Sequence, residues 1–207
     1  RVHDVWRSES TVIYPAVRTD WIKPCGEDEP GEGFLCVCAL VPYKRVDVVV
    51  EAFNQLGLPL TVIGRGPDEA RLKARAKANI RFIASVSDAE LAEYYRRTRA
   101  LVFAAEEDFG MSPVEAQAAG RPVIAYARGG CRETVLSEGA RKTGILVSEQ
   151  TAEHFASAVY RFLDREMEFT VENCTSQARR FSVERFHEEF SRLVSQVTEQ
   201  NLREAQC

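Results

Sequence analysis

Short apolar runs alternate with longer stretches of helical period along most of this chain. Runs over 34–39, 60–63, 80–84, 101–104, 123–127 and 144–147 are apolar throughout and rich in Val, Ile and Phe. Such runs predict strands of a parallel sheet that is covered on both faces. Between them, the pattern predicts helices over 44–56, 68–77, 87–97, 113–119 and 132–137. In the first of these, Val46, Val49, Val50 and Phe53 fall on one face. Beyond residue 150 the pattern is helical only, with helices expected over 151–165, 170–180 and 183–204. Upstream, residues 1–10 form a polar leader, 11–14 read as a short strand closed by Pro15, and 24–33 read as an acidic loop rich in turn formers. Six strands alternating with helices predict an α/β fold. It is a doubly wound parallel six-stranded sheet, Rossmann-like, followed by C-terminal helices.

Composition narrows the class. The chain has 207 residues, 45% hydrophobic and 28% charged, the profile of a globular protein with a sizeable core. No apolar run approaches the roughly 20 residues of a membrane span. A net charge of −4, with no stripe of interleaved basic and aromatic residues, argues against a nucleic-acid partner. The six cysteines lack disulfide-framework or metal-site spacing. Cys36 and Cys38 alternate within an apolar run, so they share one strand face and read as core thiols of a reducing, cytosolic compartment. His3, His154 and His187 are scattered and read as structural or surface residues. The chain begins at Arg1, with neither methionine nor a signal-peptide pattern, which fits a trimmed chain or a fragment.

The candidate chemistry sits where topology puts a crevice. If the strand order is 3-2-1-4-5-6, the winding reverses between the strands at 34–39 and 101–104, and ligands bind beyond their carboxyl ends. The loops leaving those strands are 40–45, with Lys44 and Arg45, and 105–112, with Glu106, Glu107 and Asp108. The second loop runs into Ser112-Pro113-Val114-Glu115, which reads as a capping box with proline at the first helical position. Acids beside a helix N-terminus, an anion site, fit a ligand with both phosphates and hydroxyls, such as a nucleotide-sugar. Lys44 and Arg45 are read as opening a helix against its dipole, a placement that a diphosphate would balance; the alternative is a solvated basic pair. Glu107 and Glu115 can each accept two hydroxyls of a vicinal diol, though Glu115 could equally serve only the helix cap. Phe109 reads as core, with Gly110 allowing close backbone approach. The Gly64-Arg65-Gly66-Pro67 turn is not a dinucleotide fingerprint, and G-x-x-x-x-G-K-[ST] is absent. No D-x-D triplet occurs, so a carboxylate-held divalent metal on a diphosphate is not indicated.

Taken together, the motifs resemble the retaining glycosyltransferases of the GT-B fold, the large family 4 group. The stretch E-D-F-G-M-S-P-V-E (107–115) matches the family's E-x7-E motif. V-P-Y-K-R-V-D (41–47), V-I-G-R-G-P (62–67), I-R-F-I-A-S-V-S-D-A-E-L (80–91), E-A-Q-A-A-G-R-P-V-I-A-Y (115–126), G-G-C-R-E-T-V (129–135) and T-G-I-L-V (143–147) follow in the family's order. The resemblance spans about 12–190. It implies the C-terminal, donor-binding half of a two-domain enzyme, inactive as an isolated fragment. On that reading 1–32 is an inter-domain linker with its short strand and acidic loop, 33–165 is the Rossmann-like nucleotide-sugar-binding domain, and 166–207 are helices crossing back to an N-terminal domain outside this chain.

The resemblance also implies roles. Lys44 and Glu107 are the catalytic pair, Lys44 on the diphosphate with Arg45 beside it. Glu107 and the backbone of Phe109, Gly110 and Met111 hold the hexose; Ser112 lies at the phosphates, Glu115 at the ribose, and Gly64 with Val86 near the base. The donor is a nucleoside-diphosphate sugar, GDP-mannose or a UDP-hexose, with no other cofactor. The P-Y-K-R version is closest to mannosyltransferase-like members acting in polysaccharide biosynthesis, which makes mannose the leading guess. The acceptor is a glycan or a lipid-linked molecule bound through the N-terminal domain. The expected location is cytoplasmic, with peripheral association of the full-length protein at the inner membrane face. The implied reaction retains anomeric configuration, with Glu107 positioning the sugar rather than attacking it. Two positions depart from the family: Ala39, where many members carry Arg, and Ala84, where Gly is common. Ala39 favours a competing reading, a non-catalytic sugar-nucleotide-binding or scaffold module. A third reading, an NAD-dependent enzyme, is disfavoured by the missing glycine fingerprint.

Overall fold

The structure, a computed structural model, describes residues 5–204. The first four residues of the polar leader, His3 among them, and Cys207 lie outside the described residues. Six four-residue strands form one parallel sheet: β1 (Phe34–Val37), β2 (Leu60–Ile63), β3 (Ile80–Ile83), β4 (Ala100–Phe103), β5 (Val123–Tyr126) and β6 (Gly144–Val147). Their order is β3-β2-β1-β4-β5-β6, with β1 and β4 central. Register is continuous at the crossing: Phe34 pairs with Leu60 on one side and Ala100 on the other. The winding therefore reverses between β1 and β4, where the sequence pattern places it.

Alternation along each strand gives the sheet two apolar faces, each with its own core. Phe34 and Cys36 point into one, with Val62, Val102 and Ile124. That face is covered by α1 (Val46–Leu56), α2 (Glu69–Arg75) and α6 (Ala152–Asp164). Val46, Val49, Val50 and Phe53 of α1 are all buried. Cys38, just past β1, packs against the same core as Cys36. Leu35, Leu101, Phe103 and Val123 point into the other core. It is covered by α3 (Asp88–Arg97), α4 (Met111–Ala118), α5 (Cys131–Thr134) and α7 (Val171–Arg179), with α7 packed along α4. The capping box opening α3 forms as its sequence indicates: Ser87 Oγ accepts from the Glu90 amide, and Glu90 Oε2 accepts from the Ser87 amide at 2.8 Å.

Residues 11–14, expected as a strand, form none. A strand needs a neighbour to satisfy its backbone groups, and the chain here runs alongside the junction between α7 and α8 (Val183–Glu204) instead. The Val17 amide donates to the Phe181 carbonyl at 2.8 Å, Arg185 Nη2 donates to the Tyr14 carbonyl at 2.9 Å, and the Tyr14 ring meets Phe181 edge-on at 5.3 Å. The apolar character of this segment serves that seam. On α8, Phe190, Val194 and Val197 stay about half exposed. Among the described residues no helix is long and apolar enough to cross a membrane.

Phe53 is fully buried, with its ring 5.2 Å from that of Phe34. Phe53→Ala is expected to cost about 3–5 kcal/mol of folding free energy, measured as a lower urea midpoint at unchanged m-value.

Candidate functional site

The loop leaving β1 does not open a helix with Lys44 and Arg45, as its sequence indicates. Pro42–Lys44 forms a turn of 3-10 helix, Arg45 takes a left-handed conformation (φ 53°, ψ 37°), and α1 begins only at Val46. Asp47 then supplies the acid that a first helical turn prefers and takes the Arg45 Nε hydrogen bond at 3.2 Å. The basic pair therefore does not open α1 against its dipole. Lys44 is placed by something else: its ammonium contacts the Glu107 carboxylate across the winding reversal, and both side chains are largely buried. Burial pulls the lysine down from its usual range, with Cys38 acting the other way.

Glu107 is held at both ends. Its carbonyl accepts the Gly130 amide at 2.8 Å while its carboxylate meets Lys44. Gly129 has φ +59°, and a Cβ there would lie 2.0 Å from the Glu107 carbonyl oxygen. Only glycine lets the turn after β5 press this closely on the acidic loop. The Phe109 ring packs edge-on against Phe181 at 5.4 Å, so that side chain is core. Gln150 clamps the base of the loop: its Nε2 donates to the Ala104 carbonyl at 2.7 Å and its Oε1 accepts from Arg45 Nη1 at 2.8 Å. Arg45, Glu106, Glu107, Asp108, Glu133 and Gln150 line an open depression of about 720 Å³. Glu133 also accepts the Tyr14 hydroxyl.

The third component is α4, which starts two residues earlier than the apparent capping box. Gly110 is its N-cap, in a left-handed conformation and with no side-chain cap, and Met111, exposed, is its first residue. Pro113 thus falls at the third helical position, where its missing N–H is one that no intrahelical acceptor would have used. Ser112 and Glu115 are released from capping. Ser112 Oγ donates to the Val37 carbonyl at 3.1 Å, tying α4 to the end of β1. Glu115 Oε2 accepts the Tyr95 hydroxyl at 2.7 Å. Burial pushes the Glu115 carboxyl above the usual carboxylate range, and the Tyr95 hydrogen bond opposes that shift. Burial likewise pushes the Tyr95 phenol well up, reinforced by the Glu115 charge.

The structure thus gathers Lys44, Arg45 and Glu107 directly, with Ser112 and Glu115 joined to them through Val37 and the start of α4. Gly64 and Val86 stand further along the sheet, past the ends of β2 and β3. At Gly64 a Cβ would lie 1.9 Å from the Cys38 carbonyl oxygen, so β1 and β2 can close together there only around a glycine. Val86 is half buried against the core of the α4 face. Ala39 is exposed at the end of β1, and Ala84 is half buried. Sequence reading missed Gln150, Glu133, Tyr95 and Tyr14, whose partners lie 20 to 119 residues away. Gly129-Gly130 alone carried a readable signal, as a glycine pair after an apolar run. Among the described residues no group of three or more His, Cys, Asp or Glu side chains is placed to hold a metal ion.

A six-stranded doubly wound sheet with cationic and acidic loops facing each other at its switch point is the Rossmann-like half of a GT-B architecture. The chain belongs to the family described as glycosyl transferases group 1, whose sequence profile matches residues 17–181. It is 30% identical over 182 residues to the D-inositol 3-phosphate glycosyltransferase of Frankia alni, covering 73% of this chain and 44% of that protein. Among solved structures, the sucrose-phosphate synthase of Thermosynechococcus elongatus superposes with a TM-score of 0.78 at 23% identity, over 96% of this chain and 56% of that one. The Anabaena protein Alr3699/HepE, solved in complex with UDP-glucose, superposes with a TM-score of 0.68 at 19% identity, over 80% of this chain and 49% of that one. The chain spans about half the length of these proteins.

The buried position of Glu115 has a pH signature. Its folded pKa lies above the unfolded value of roughly 4.3, so its contribution to stability is full below that value and is lost as pH rises through the folded pKa. Glu115→Gln keeps an acceptor for Tyr95 without the buried charge. It is expected to raise the Tm of the ligand-free chain at pH 7, with the gain shrinking as pH falls toward about 4. Thermal unfolding across that range checks it; a lower Tm at pH 7 would mean that the charged hydrogen bond outweighs burial.

Proposed function

We propose that this chain is the donor-binding domain of a retaining, family 4 glycosyltransferase that transfers a hexose from a nucleoside-diphosphate sugar. The contact of Lys44 with Glu107 across the switch point, beside the uncapped start of α4, carries this reading. A bound donor would separate the pair and satisfy both members: phosphate on Lys44, sugar hydroxyls on Glu107. As the glycosidic bond breaks, charge grows on the departing diphosphate, and Lys44, Arg45 and the free N–H groups of the first turn of α4 are placed to stabilise it. Ser112 stands at the same turn. Glu115 takes the ribose diol, the backbone of Phe109, Gly110 and Met111 flanks the hexose, and Gly64 and Val86 border the base.

A UDP-hexose is the donor favoured by the UDP-glucose complex of Alr3699/HepE. GDP-mannose, which the Pro42-Tyr43-Lys44-Arg45 stretch favours by resemblance, is the competing donor. The acceptor, a glycan or lipid-linked molecule, is assigned to a second domain making up the rest of the length seen in relatives, with residues 166–207 crossing back to it and the work done at the cytoplasmic face of a membrane. The second reading, a sugar-nucleotide-binding module without catalysis, has one observation in its favour. Ala39 leaves the end of β1 without a cation, and Arg45 is already engaged by Asp47 and Gln150.

Calorimetric titration of the chain with UDP, GDP, UDP-glucose and GDP-mannose tests the proposal. At least one diphosphate is expected to bind, and Lys44→Ala is expected to weaken it roughly 10- to 100-fold, the range for losing a charged hydrogen bond of about 1.5–3 kcal/mol. Absence of binding to all four, or unchanged affinity in Lys44→Ala, defeats the donor-site assignment. Binding without hexose transfer by the full-length protein would favour the non-catalytic module.

A further inference from the structure

Tyr95 sits on the inward face of α3 and is fully buried. It lies within the apolar core of the α4 face, among residues such as Leu101, Phe103 and Val114. A phenol there needs a partner for its hydroxyl, and the one it has is Glu115 Oε2 at 2.7 Å. The Ser112 hydroxyl, one turn before Glu115 on α4, donates to the Val37 carbonyl at 3.1 Å. α4 thus ties Ser112 to the end of β1 and Glu115 to Tyr95 of α3.

The helix does not need this arrangement. With Gly110 as N-cap and Pro113 at the third position, Glu115 has no capping duty. A buried, partnered phenol has few conformations open to it, so it fixes the carboxylate plane. One hydrogen bond to Oε2 also leaves Oε1 and a second lone pair of Oε2 as acceptors. Two hydroxyls on adjacent carbons need two acceptors at fixed separation, which a single immobilised carboxylate provides.

We propose that Tyr95 is a positioning residue that presents Glu115 to the vicinal diol of the nucleotide ribose, so that preference for ribonucleotides over dideoxyribonucleotides belongs to the Tyr95–Glu115 pair as a unit. This rests on the reading of Glu115 as the ribose contact.

The test is calorimetry at pH 7 with UDP and GDP and their 2′,3′-dideoxy counterparts on the chain itself, its Tyr95→Phe and Glu115→Ala variants, and the double variant. The unaltered chain is expected to prefer the ribonucleotide by roughly tenfold or more, the worth of one or two hydrogen bonds. Tyr95→Phe is expected to lose most of that ratio with dideoxynucleotide affinity unchanged, and the double variant to behave as Glu115→Ala does. If Glu115→Ala collapses the ratio while Tyr95→Phe keeps it, or weakens both nucleotides equally, Tyr95 is a packing residue and the proposal is overturned with the Glu115 assignment intact. If Glu115→Ala leaves the ratio unchanged, the Glu115 assignment itself is wrong and the proposal goes with it. Tyr95→Phe removes one oxygen and keeps the ring; should it fail to fold, Tyr95→Met lacks the same donor, fills the site flexibly and carries the same comparison.

Discussion

The contact between Lys44 and Glu107 fixes how the two central strands end, and the crevice takes its form from it. Each partner leaves water to make the contact, which costs free energy unless the geometry is held by other means. The holding is done by backbone. The 3-10 turn sets Lys44, and the Gly130 amide with the close approach at Gly129 sets Glu107. Opposite charges side by side at a helix N-terminus are then not a contradiction. A ligand carrying phosphates and hydroxyls gives each of them a new partner at once, so neither is left buried and unpaired.

The two-faced sheet supplies the rigidity this requires. Each strand alternates residues into two separate cores, so β1 and β4 are pinned from both sides, and their carboxyl ends can carry loops that are not optimised for stability. Gln150 shows how far the pinning reaches. It follows β6, yet it ties the end of β4 to the guanidinium of Arg45. The depression is thereby lined from four loops, those that follow β1, β4, β5 and β6.

The sheet order, the helix faces and the location of the crevice were legible because they follow from period and connectivity, which are local properties. In the stretch from Ala104 to Gly120 the three acids and the helix after them were legible too, being visible in one dimension. Its inner geometry was not. Ser112 and Glu115 have capping-box spacing, but α4 begins at Met111 because the gain from joining Ser112 to Val37 and Glu115 to Tyr95 depends on residues 75 and 20 positions away. Arg45 looked like a helix residue because nothing in its own identity announces a left-handed conformation. Residues 11–14 have strand character, and only the distant seam at Phe181 and Arg185 explains why they never pair.

Side-chain caps are present at some helix starts and missing at others, α2 and α5 among those without one. Ser87, Thr151 and Thr170 cap α3, α6 and α7 with their side chains, each an arrangement worth about 1 kcal/mol. The start of α4 has no such cap. Arg45 stands in a left-handed conformation a few residues past β1, and Glu115 is a carboxylate raised by burial and steadied by one phenol. Each of these is a local loss that a stability-driven sequence would remove. Scattered, they would be unrelated defects. At the carboxyl ends of β1 and β4 they fall together, and uncapped amides, a fixed cation and a held carboxylate are groups that phosphates and hydroxyls would consume.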